Sequence, residues 1–428
     1  PEASARMQPI DGTPGDAPVP AYYKATAHGE VQWRHLEYHF TSEDTWFWDY
    51  VTNTDQRQFP ITLTGLYTEP FTAVVRSEYV AVTYSTIYTP DHHVVFKLNN
   101  GVDPIVDSRW DGASRNSFEV DIPSSDLVEG VNTLYFQIVE DDSVVSKVGF
   151  DWYEIDYLRR FLAVDDEISF TGEITGTWRY QLEGFTQGDI QVYDITDPHL
   201  PKKVNNLRTY FDGSYRAEFQ TSNDAGTLYY GVGASSILAP KSITRYTPPD
   251  LRSINNGADY LIISHANFLD AAQVLANYRA SQGLRVRVVD IQDLYDEFNE
   301  GIRHPIAIKN FLEYTFVNWS PPAPLYVVVV GDGHWDMLDT DYPYTTAPVY
   351  IPPNLSWVDP IQGEVDSSNL LATIVGDDPL PDVLIGRIPV NSSQELMNVI
   401  NKIMVFEQAP FQSWQLNNTF IADNTPDA

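Results

Sequence analysis

Short runs of β-branched and aromatic residues dominate the first 247 residues of the chain. Between about residues 30 and 165 these runs are rich in Val, Tyr, Thr and Phe, and turn-forming Asn, Asp, Gly and Pro separate them at spacings of roughly ten residues. Examples are Phe71–Arg76, Tyr79–Tyr84, His93–Lys97 and Thr133–Ile138. This pattern predicts a β sandwich or jelly roll over residues 30–165.

The flanking segments have different patterns. Residues 166–247 contain further short β runs, such as Trp178–Leu182 and Thr227–Gly231, and their total length fits a small immunoglobulin-like sandwich. Residues 1–29 contain several Pro residues among Ala, Gly and Asp and show no apolar period. That composition predicts an extended linker.

After Pro248 and Pro249 the pattern changes to alternating strands and helices. The predicted strands are Tyr260–Ser264, Val286–Asp290, Leu325–Val330 and Val383–Ile385, with the start of another at Phe420–Ala422. The predicted helices cover residues 269–282, 306–318 and 392–407, the last opened by a capping box, Ser392-x-x-Glu395. Such alternation is typical of a parallel sheet with helices on both faces. The predicted fold class is therefore multidomain β plus α/β: two β sandwiches, the first jelly-roll-like, followed by an α/β parallel-sheet region over residues 248–428.

Composition narrows the possible functions. The chain has 428 residues with 26 basic and 59 acidic side chains, a formal net charge of −33. Because the charge is spread along the sequence, the surface should repel phosphate backbones, and we expect no nucleic-acid partner. No apolar run approaches the roughly 20 residues of a membrane span. The sequence contains no Cys, which excludes a disulfide, a thiolate metal site and a thiol nucleophile among these residues.

The two ends do not look like natural termini. Pro1 opens a segment with neither an initiator Met nor an apolar signal sequence, and residues 424–428 are typical of a loop that follows a strand. We therefore expect the chain to be a processed or excised piece of a longer protein.

The most distinctive motif is Gly331-Asp332-Gly333-His334, directly after a run of four valines. In an open parallel sheet, ligands bind beyond the carboxyl ends of the strands, so Asp332 and His334 are candidates for a substrate pocket. The alternative is a tight glycine turn whose two polar side chains bond only to nearby backbone. The sequence has no Gly-x-Ser-x-Gly elbow, His-Glu-x-x-His pair or Lys-containing phosphate loop that would indicate another hydrolase site.

Three carboxylates lie close together before the last predicted strand: Asp377, Asp378 and Asp382. Like charges this close repel each other, and carboxylate oxygens are the ligands that calcium prefers, so the segment is a candidate Ca²⁺ site. It lacks the twelve-residue spacing of a helix-loop-helix calcium site, and a solvated turn is the alternative. Calcium is the one cofactor that we expect.

A set of segments occurs in a fixed order between about residues 250 and 428: Ala258–His265, Ala276–Arg279, Leu294–Phe298, Gly331–His334, Leu380–Asp382 and Ile385–Val390. Together they resemble the gingipain-like cysteine peptidases, family C25. The resemblance implies a peptidase region of two caspase-like α/β halves, with the catalytic His and Cys on the second half. Residues 248–428 correspond to the first half, so the resemblance assigns no catalytic residue to this chain, and His334 is not the family's catalytic His.

The resemblance also points to a specificity position. Members that cleave after basic residues resemble one another in a Ser-Asp-Asn or Ser-Asp-Gln segment, whose Asp receives the substrate's Arg or Lys. The corresponding segment here is Ser367-Ser368-Asn369, so Ser368 replaces the pocket Asp. A neutral hydroxyl leaves a buried guanidinium without a compensating charge, which argues against specificity for Arg or Lys. Ser368 and Asn369 thus join Asp332 and His334 as candidate substrate-pocket residues.

The function that the resemblance implies is that of the noncatalytic N-terminal portion of an exported cysteine endopeptidase, located outside the cell or on its surface. This portion would scaffold the catalytic half and help to form its substrate cleft, and the chain alone would have no peptidase activity. The expected partners are a downstream catalytic segment or chain of the same precursor and a protein or peptide substrate. The alternative is a secreted structural or adhesive cell-surface protein with a degenerate peptidase-like domain.

Overall fold

The computed structural model describes residues 7–35, 45–53, 55–140, 145–337, 348–359, 363–376 and 378–420. The chain divides into two compact units, Pro1–Ile243 and Thr244–Ala428. Within the described ranges, no helix has both the length and the apolar character needed to cross a membrane.

The N-terminal unit is built from strands. Its first twelve are β1 (Gln8–Asp11), β2 (Tyr23–Glu30), β3 (Arg34–His35), β4 (Trp46–Phe47), β5 (Asp49–Thr52), β6 (Gln56–Leu63), β7 (Thr72–Ala81), β8 (His92–Leu98), β9 (Val106–Trp110), β10 (Arg115–Pro123), β11 (Gly130–Ile138) and β12 (Lys147–Arg159). Two antiparallel sheets, β10-β7-β12-β2 with β5 on β12, and β6-β11-β8-β9, enclose one core. Stacked rings fill it, with centroids 3.8 Å apart for Phe59 and Phe150 and 4.6 Å apart for Phe96 and Phe136.

A second pair of sheets completes the unit. Its strands are β13 (Glu167–Gly172), β14 (Gly176–Phe185), β15 (Ile190–Asp194), β16 (Lys202–Asn205), β17 (Arg208–Asp212), β18 (Ser214–Asn223) and β19 (Thr227–Gly233). They form the sheets β1-β16-β15-β19-β13 and β14-β18-β17, which enclose a separate core containing Phe170, Tyr180 and Phe219. The division into domains at 30–165 and 166–247 stays a prediction, since both pairs of sheets lie in one compact unit.

For the described residues 7–29, the structure has two paired strands where we expect an extended linker over residues 1–29. β1 pairs in parallel with β16, and β2 pairs with β12 in an antiparallel register from Tyr23–Arg159 to Glu30–Trp152. The backbone groups of these strands form their hydrogen bonds with residues more than a hundred positions away. A local sequence pattern cannot predict such distant pairing. Likewise, most of the two runs Phe71–Arg76 and Tyr79–Tyr84 lies in the single strand β7, in which the intervening Ser77 is buried and donates a 2.8 Å hydrogen bond to the carbonyl of Trp152.

The C-terminal unit has the predicted alternation. Its elements are β20 (Tyr260–Ser264), α1 (Leu269–Ser281), β21 (Val286–Asp290), α2 (Ile291–Phe298), α3 (Ile306–Asn318), β22 (Tyr326–Val330), β23 (Leu355–Asp359), β24 (Gly363–Asp366), α4 (Ser368–Ala372), β25 (Leu384–Ile388) and α5 (Ser393–Gln408). The four parallel strands have the order β21-β20-β22-β25. Ile262 points into a core with α1 and α5, whereas Leu261 and Ile263 point into a core with α2, α3 and α4. Helices thus cover both faces, and the predicted fold class, β plus α/β, is confirmed.

Local signals position most of the helices. α3 covers the predicted residues 306–318, and α1 ends before Gly283, whose φ of 93° only glycine adopts readily. The Ser392 hydroxyl accepts the N–H of Glu395 at 3.2 Å, while the Glu395 carboxylate accepts the N–H of Asn391, one residue earlier than a capping box requires. α2, α4 and the β23–β24 hairpin were not predicted. The predicted strand at Phe420–Ala422 lies mostly outside the described residues.

Candidate functional site

Two of the four candidate pocket residues, Asp332 and His334, lie at the carboxyl ends of the four parallel strands, together with His265 and Asn391. His265 follows β20, the Gly331–His334 loop follows β22, and Asn391 lies three residues after β25. Parallel strands end at the same edge of a sheet, so these groups share one edge, which is where open α/β sheets bind ligands.

Backbone hydrogen bonds hold the loop after β22 on two sides. The N–H of Asp332 donates to the carbonyl of Val390 at 3.1 Å, and the Asp332 carbonyl accepts the N–H of Tyr350 at 2.9 Å. Gly331 has a φ of 140°, which favours glycine. A Cβ on Gly333 would overlap the carbonyl oxygen of Ile351. Gly331 is therefore favoured by its backbone conformation, and Gly333 by the close approach of the Ile351 backbone.

The Asp332 and His334 side chains have different surroundings. One carboxylate oxygen of Asp332 accepts the N–H of Gly333, and the other accepts the Asn391 amide, each at 2.9 Å. His334 Nδ1 accepts the N–H of Asp336 at 3.2 Å, which orients the ring within its own loop. Both side chains are half-buried. Asp332 thus joins the loops after β22 and β25, while this bond of His334 stays within one loop.

Arg387, next to the last residue of β25, holds the neighbouring loops in place through hydrogen bonds from its guanidinium group. Its Nη1 donates to the carbonyls of Gly331 at 3.1 Å and Ile351 at 2.9 Å, and Nη2 donates to the carbonyl of Pro352 at 3.3 Å. Nε lies 3.4 Å from Oδ2 of Asp366, and only 12% of the side chain is exposed. Burial lowers the pKa of the guanidinium, and the carboxylates of Asp366 and Asp332 oppose this shift. The group remains charged, because even a lowered arginine pKa stays far above neutrality.

In the sequence, Arg387 is part of the Ile385–Val390 segment that resembles family C25, and the structure places it as the one charged residue of β25. A cation in such a strand needs either a solvent path or several acceptors. The structure supplies acceptors, three carbonyls and one carboxylate, which makes Arg387 the residue that organises this edge of the sheet.

Ser368 and Asn369 begin α4, next to the Arg387–Asp366 pair. The Ser368 hydroxyl lies 3.5 Å from Oδ2 of Asp366. Asn369 is exposed, and its amide donates to the carbonyl of Pro379 at 3.2 Å. Arg387 therefore connects the Ser368 side of the site with the Asp332 loop, whereas the Asn369 amide bonds to a different loop.

His265 directly follows the central strand β20 but is not one of the residues that the sequence singles out as candidates. Its Nδ1 accepts the N–H of Asn267 at 3.2 Å, and its ring centroid lies 5.0 Å from that of Tyr350. The pKa of His265 is lowered, mainly because burial disfavours the charged ring. The negative charge of Asp290 opposes this shift, and the positive charge of Arg303 adds to it. A histidine pKa below 6.5 leaves the ring neutral at pH 7, so His265 presents an uncharged imidazole at this edge.

The family comparison covers this part of the chain. Residues 253–428 match the model of peptidase family C25. This region belongs to peptidase family C25. The match spans the parallel sheet, its helices and every candidate residue above.

Solved structures give a likeness over a longer stretch. The crystal structure of dimeric latent PorU from Porphyromonas gingivalis superposes with a TM-score of 0.71 and 16% sequence identity over 94% of this chain and 40% of that one. At that identity the likeness shows the fold alone, and the chain spans less than half of the PorU chain. A structure described as "Structure of Protease" covers 35% of this chain and 28% of that chain at 21% identity, but its TM-score of 0.25 carries no argument. No curated protein matches the chain.

The acidic segment of the C25 region is engaged in local hydrogen bonds. One oxygen of Asp382 accepts the N–H groups of Ile374 and Val375, both at 2.8 Å, and Asp378 accepts the N–H of Leu380 at 2.9 Å. Asp377 lies outside the described residues. Within the described ranges, no cluster of three or more His, Asp or Glu side chains has a geometry that would hold a metal ion.

Calcium binding at Asp377, Asp378 and Asp382 stays a prediction. If the segment binds Ca²⁺ in the native state, the unfolding temperature of the chain should rise with calcium concentration and fall with chelator, because binding to the folded state alone raises stability by mass action. Differential scanning calorimetry in calcium, in magnesium and at matched ionic strength measures this. Equal shifts in all three conditions would mean that only charge screening acts.

We expect Gly333→Ala to lower the free energy of unfolding of the C25 region by about 1–3 kcal/mol, because the new Cβ must displace the Ile351 backbone. Gly386→Ala is the matched control, since no heavy atom lies within 4 Å of its added Cβ. That control should be neutral or slightly stabilising. Urea unfolding of both variants tests the prediction, and equal stability of the two would contradict it.

Proposed function

We propose that this chain is the noncatalytic N-terminal portion of an exported C25-type cysteine endopeptidase, in which the C25 region forms one wall of the substrate cleft. The family match makes the chain peptidase-related. The proposal rests on the Arg387 cluster, which consists of Arg387, the carbonyls of Gly331 and Ile351, and the Asp366 carboxylate. These contacts join the loop after β22 to the segment just before α4, so this edge of the sheet is rigid. Substrate-positioning groups need such rigidity, because small misplacements cost large factors in rate.

The edge strand β25 is evidence that another domain pairs with this sheet. β25 ends the strand order of the described parallel sheet, so one row of its backbone groups is available for pairing. Close to it along the chain, six large apolar residues are exposed at the end of α5 and after it: Val405, Phe406, Phe411, Trp414, Leu416 and Phe420. Such a density of exposed apolar side chains is typical of a protein interface. We assign this surface to the catalytic segment or chain of the same precursor.

The same cluster bears on specificity. Asp366, the carboxylate beside Ser368, pairs with Arg387 and accepts the N–H of Asn354 at 3.1 Å. Its charge is therefore already compensated by a buried cation. With Ser368 at the position where basic-specific relatives have Asp, we propose a substrate whose recognised side chain is uncharged.

The test is made on the full natural protein that contains this chain. Ser368→Asp should raise kcat/KM for peptides with Arg or Lys at the cleaved position by about 10- to 100-fold relative to neutral peptides, since a hydrogen bond to a charged group contributes about 1.5–3 kcal/mol. Asn398→Asp, on the exposed face of α5, adds the same charge elsewhere and should leave this ratio unchanged. Unchanged ratios in both variants would remove Ser368 from the pocket.

A thiol-reactive activity probe on the same protein decides between the two functions considered. Covalent labelling that a peptide substrate suppresses supports the endopeptidase. If the folded protein is not labelled, the proposal fails, and the alternative of a secreted structural or adhesive protein with a degenerate peptidase-like domain takes its place. The 428-residue chain alone should not be labelled, because it contains no Cys.

A further inference from the structure

The second pair of sheets in the N-terminal unit contains an aromatic pocket, far along the chain from the C25 region. Its volume is about 220 Å³, and Tyr22, Phe161, Trp178 and Tyr180 contribute its aromatic walls. Pockets for drug-sized ligands usually measure about 300–1,000 Å³. The cavity therefore suits a single extended side chain better than a whole cofactor.

The walls of this pocket are held in place. Phe161 and Tyr180 are only 6% and 3% exposed and meet edge to face, with centroids 5.8 Å apart. The Tyr180 hydroxyl donates to Asn223 at 3.0 Å, and the indole N–H of Trp178 donates to the carbonyl of Ile174 at 2.9 Å. Because these polar atoms are engaged, the rings offer the pocket mainly their apolar and π surfaces.

Among the residues that the structure describes, Glu173 is the one charged residue that lines the pocket. One of its carboxylate oxygens accepts the N–H of Lys24 at 3.1 Å, and within the described ranges the carboxylate forms no ion pair. Burial raises the pKa of Tyr180, and the electrostatic interactions with Tyr229 and Glu173 raise it further. The Glu173 carboxylate therefore interacts electrostatically with Tyr180 in the pocket wall. The pocket thus combines π faces with a carboxylate that has no cationic partner in the described part of the chain.

We propose that this pocket binds the basic side chain of an arginine or lysine in a peptide partner. Cations bind to aromatic faces through the ring quadrupole, and a nearby carboxylate adds direct charge complementarity. The net charge of −33 also attracts basic peptides at long range. This site is separate from the proposed cleft, and its test does not depend on peptidase activity.

The test uses the whole 428-residue chain and blocked five-residue peptides, Gly-Gly-X-Gly-Gly, titrated calorimetrically at 0.15 M salt, which screens distant charges. With X as Arg or Lys, saturable binding is expected. With X as norleucine, which keeps the apolar stem without the charge, the affinity should fall about 5- to 30-fold, which corresponds to a contribution of about 1–2 kcal/mol from the cation. Equal affinity for the norleucine peptide, or no binding of the basic peptides, overturns the proposal.

Variants assign the binding to the pocket. Glu173→Gln keeps the acceptor for the Lys24 N–H and should weaken binding of the Arg peptide about tenfold, and Tyr22→Ala should weaken it as well. The matched controls are Glu119→Gln and Tyr84→Ala, both highly exposed and outside the pocket lining, which should leave the affinity unchanged. Equal losses in pocket and control variants would show non-specific attraction to the acidic surface and would overturn the assignment.

Discussion

Arg387→Ala is expected to lower the free energy of unfolding of the C25 region by about 2–4 kcal/mol, because the variant removes a buried guanidinium and its hydrogen bonds to three carbonyls. The variant leaves Asp366 without its cation and removes the shared donor from the carbonyls of Gly331, Ile351 and Pro352. Arg387→Lys should recover part of the loss, because an ammonium restores the charge but not the planar fork that reaches several acceptors.

The measurement must report on the C25 region alone, since the chain has two compact units. Hydrogen exchange of peptides from β20 and β22 across a urea series does so. Arg245→Ala is the matched control, because Arg245 is exposed in the segment before β20. A loss for Arg387→Ala no greater than that of the control would show that the cluster does not hold the sheet edge together.

A second large effect is expected at Trp319, which follows α3. Its side chain is 4% exposed, packs edge to face on Phe311 with centroids 5.5 Å apart, and donates a buried 2.9 Å hydrogen bond to the carbonyl of Leu251. Trp319→Ala should therefore cost about 3–5 kcal/mol of stability through the cavity that it leaves. Trp319→Phe retains most of the packing and should lose about 1–3 kcal/mol, because the Leu251 carbonyl then has no donor.

Trp414→Ala is the control for Trp319, because the Trp414 side chain is 59% exposed. It should change the free energy of unfolding by no more than about 0.5 kcal/mol. The same hydrogen-exchange series measures all three variants. The loss should be largest for Trp319→Ala, smaller for Trp319→Phe and smallest for Trp414→Ala, and any other order would contradict this account of the packing.

The elements that could be predicted from sequence are those whose causes are local. α3 begins at the predicted Ile306 directly after Pro305, and Ser392 caps α5 through the N–H three residues on. Buried strands such as β22 were recognisable because both faces are covered, so their residues are almost all apolar.

The elements that could not be predicted depend on distant partners. β1 and β2 have no distinctive pattern, and they are strands because β16 and β12 offer free edges. At the candidate site, the Gly331–His334 motif predicted where the loop lies. The hydrogen bond between Asp332 and Asn391 could not be predicted, because these residues are 59 apart in the sequence. Arg387 lies beyond the predicted strand Val383–Ile385, and its acceptors come from three segments that only the fold brings together.

The parallel pairing of β1 with β16 affects how the protein is made. β1 leaves the ribosome before its partner, which follows on the order of 200 residues later; at roughly 5–20 residues per second this is an interval of about 10–40 s. During that time β1 is an unpaired segment beside growing β-rich chain. Pro9 lacks a backbone N–H, which weakens β1 as a template for wrong partners. β1 can therefore pair only once synthesis has passed residue 205, and the strands β17, β18 and β19 are still to follow.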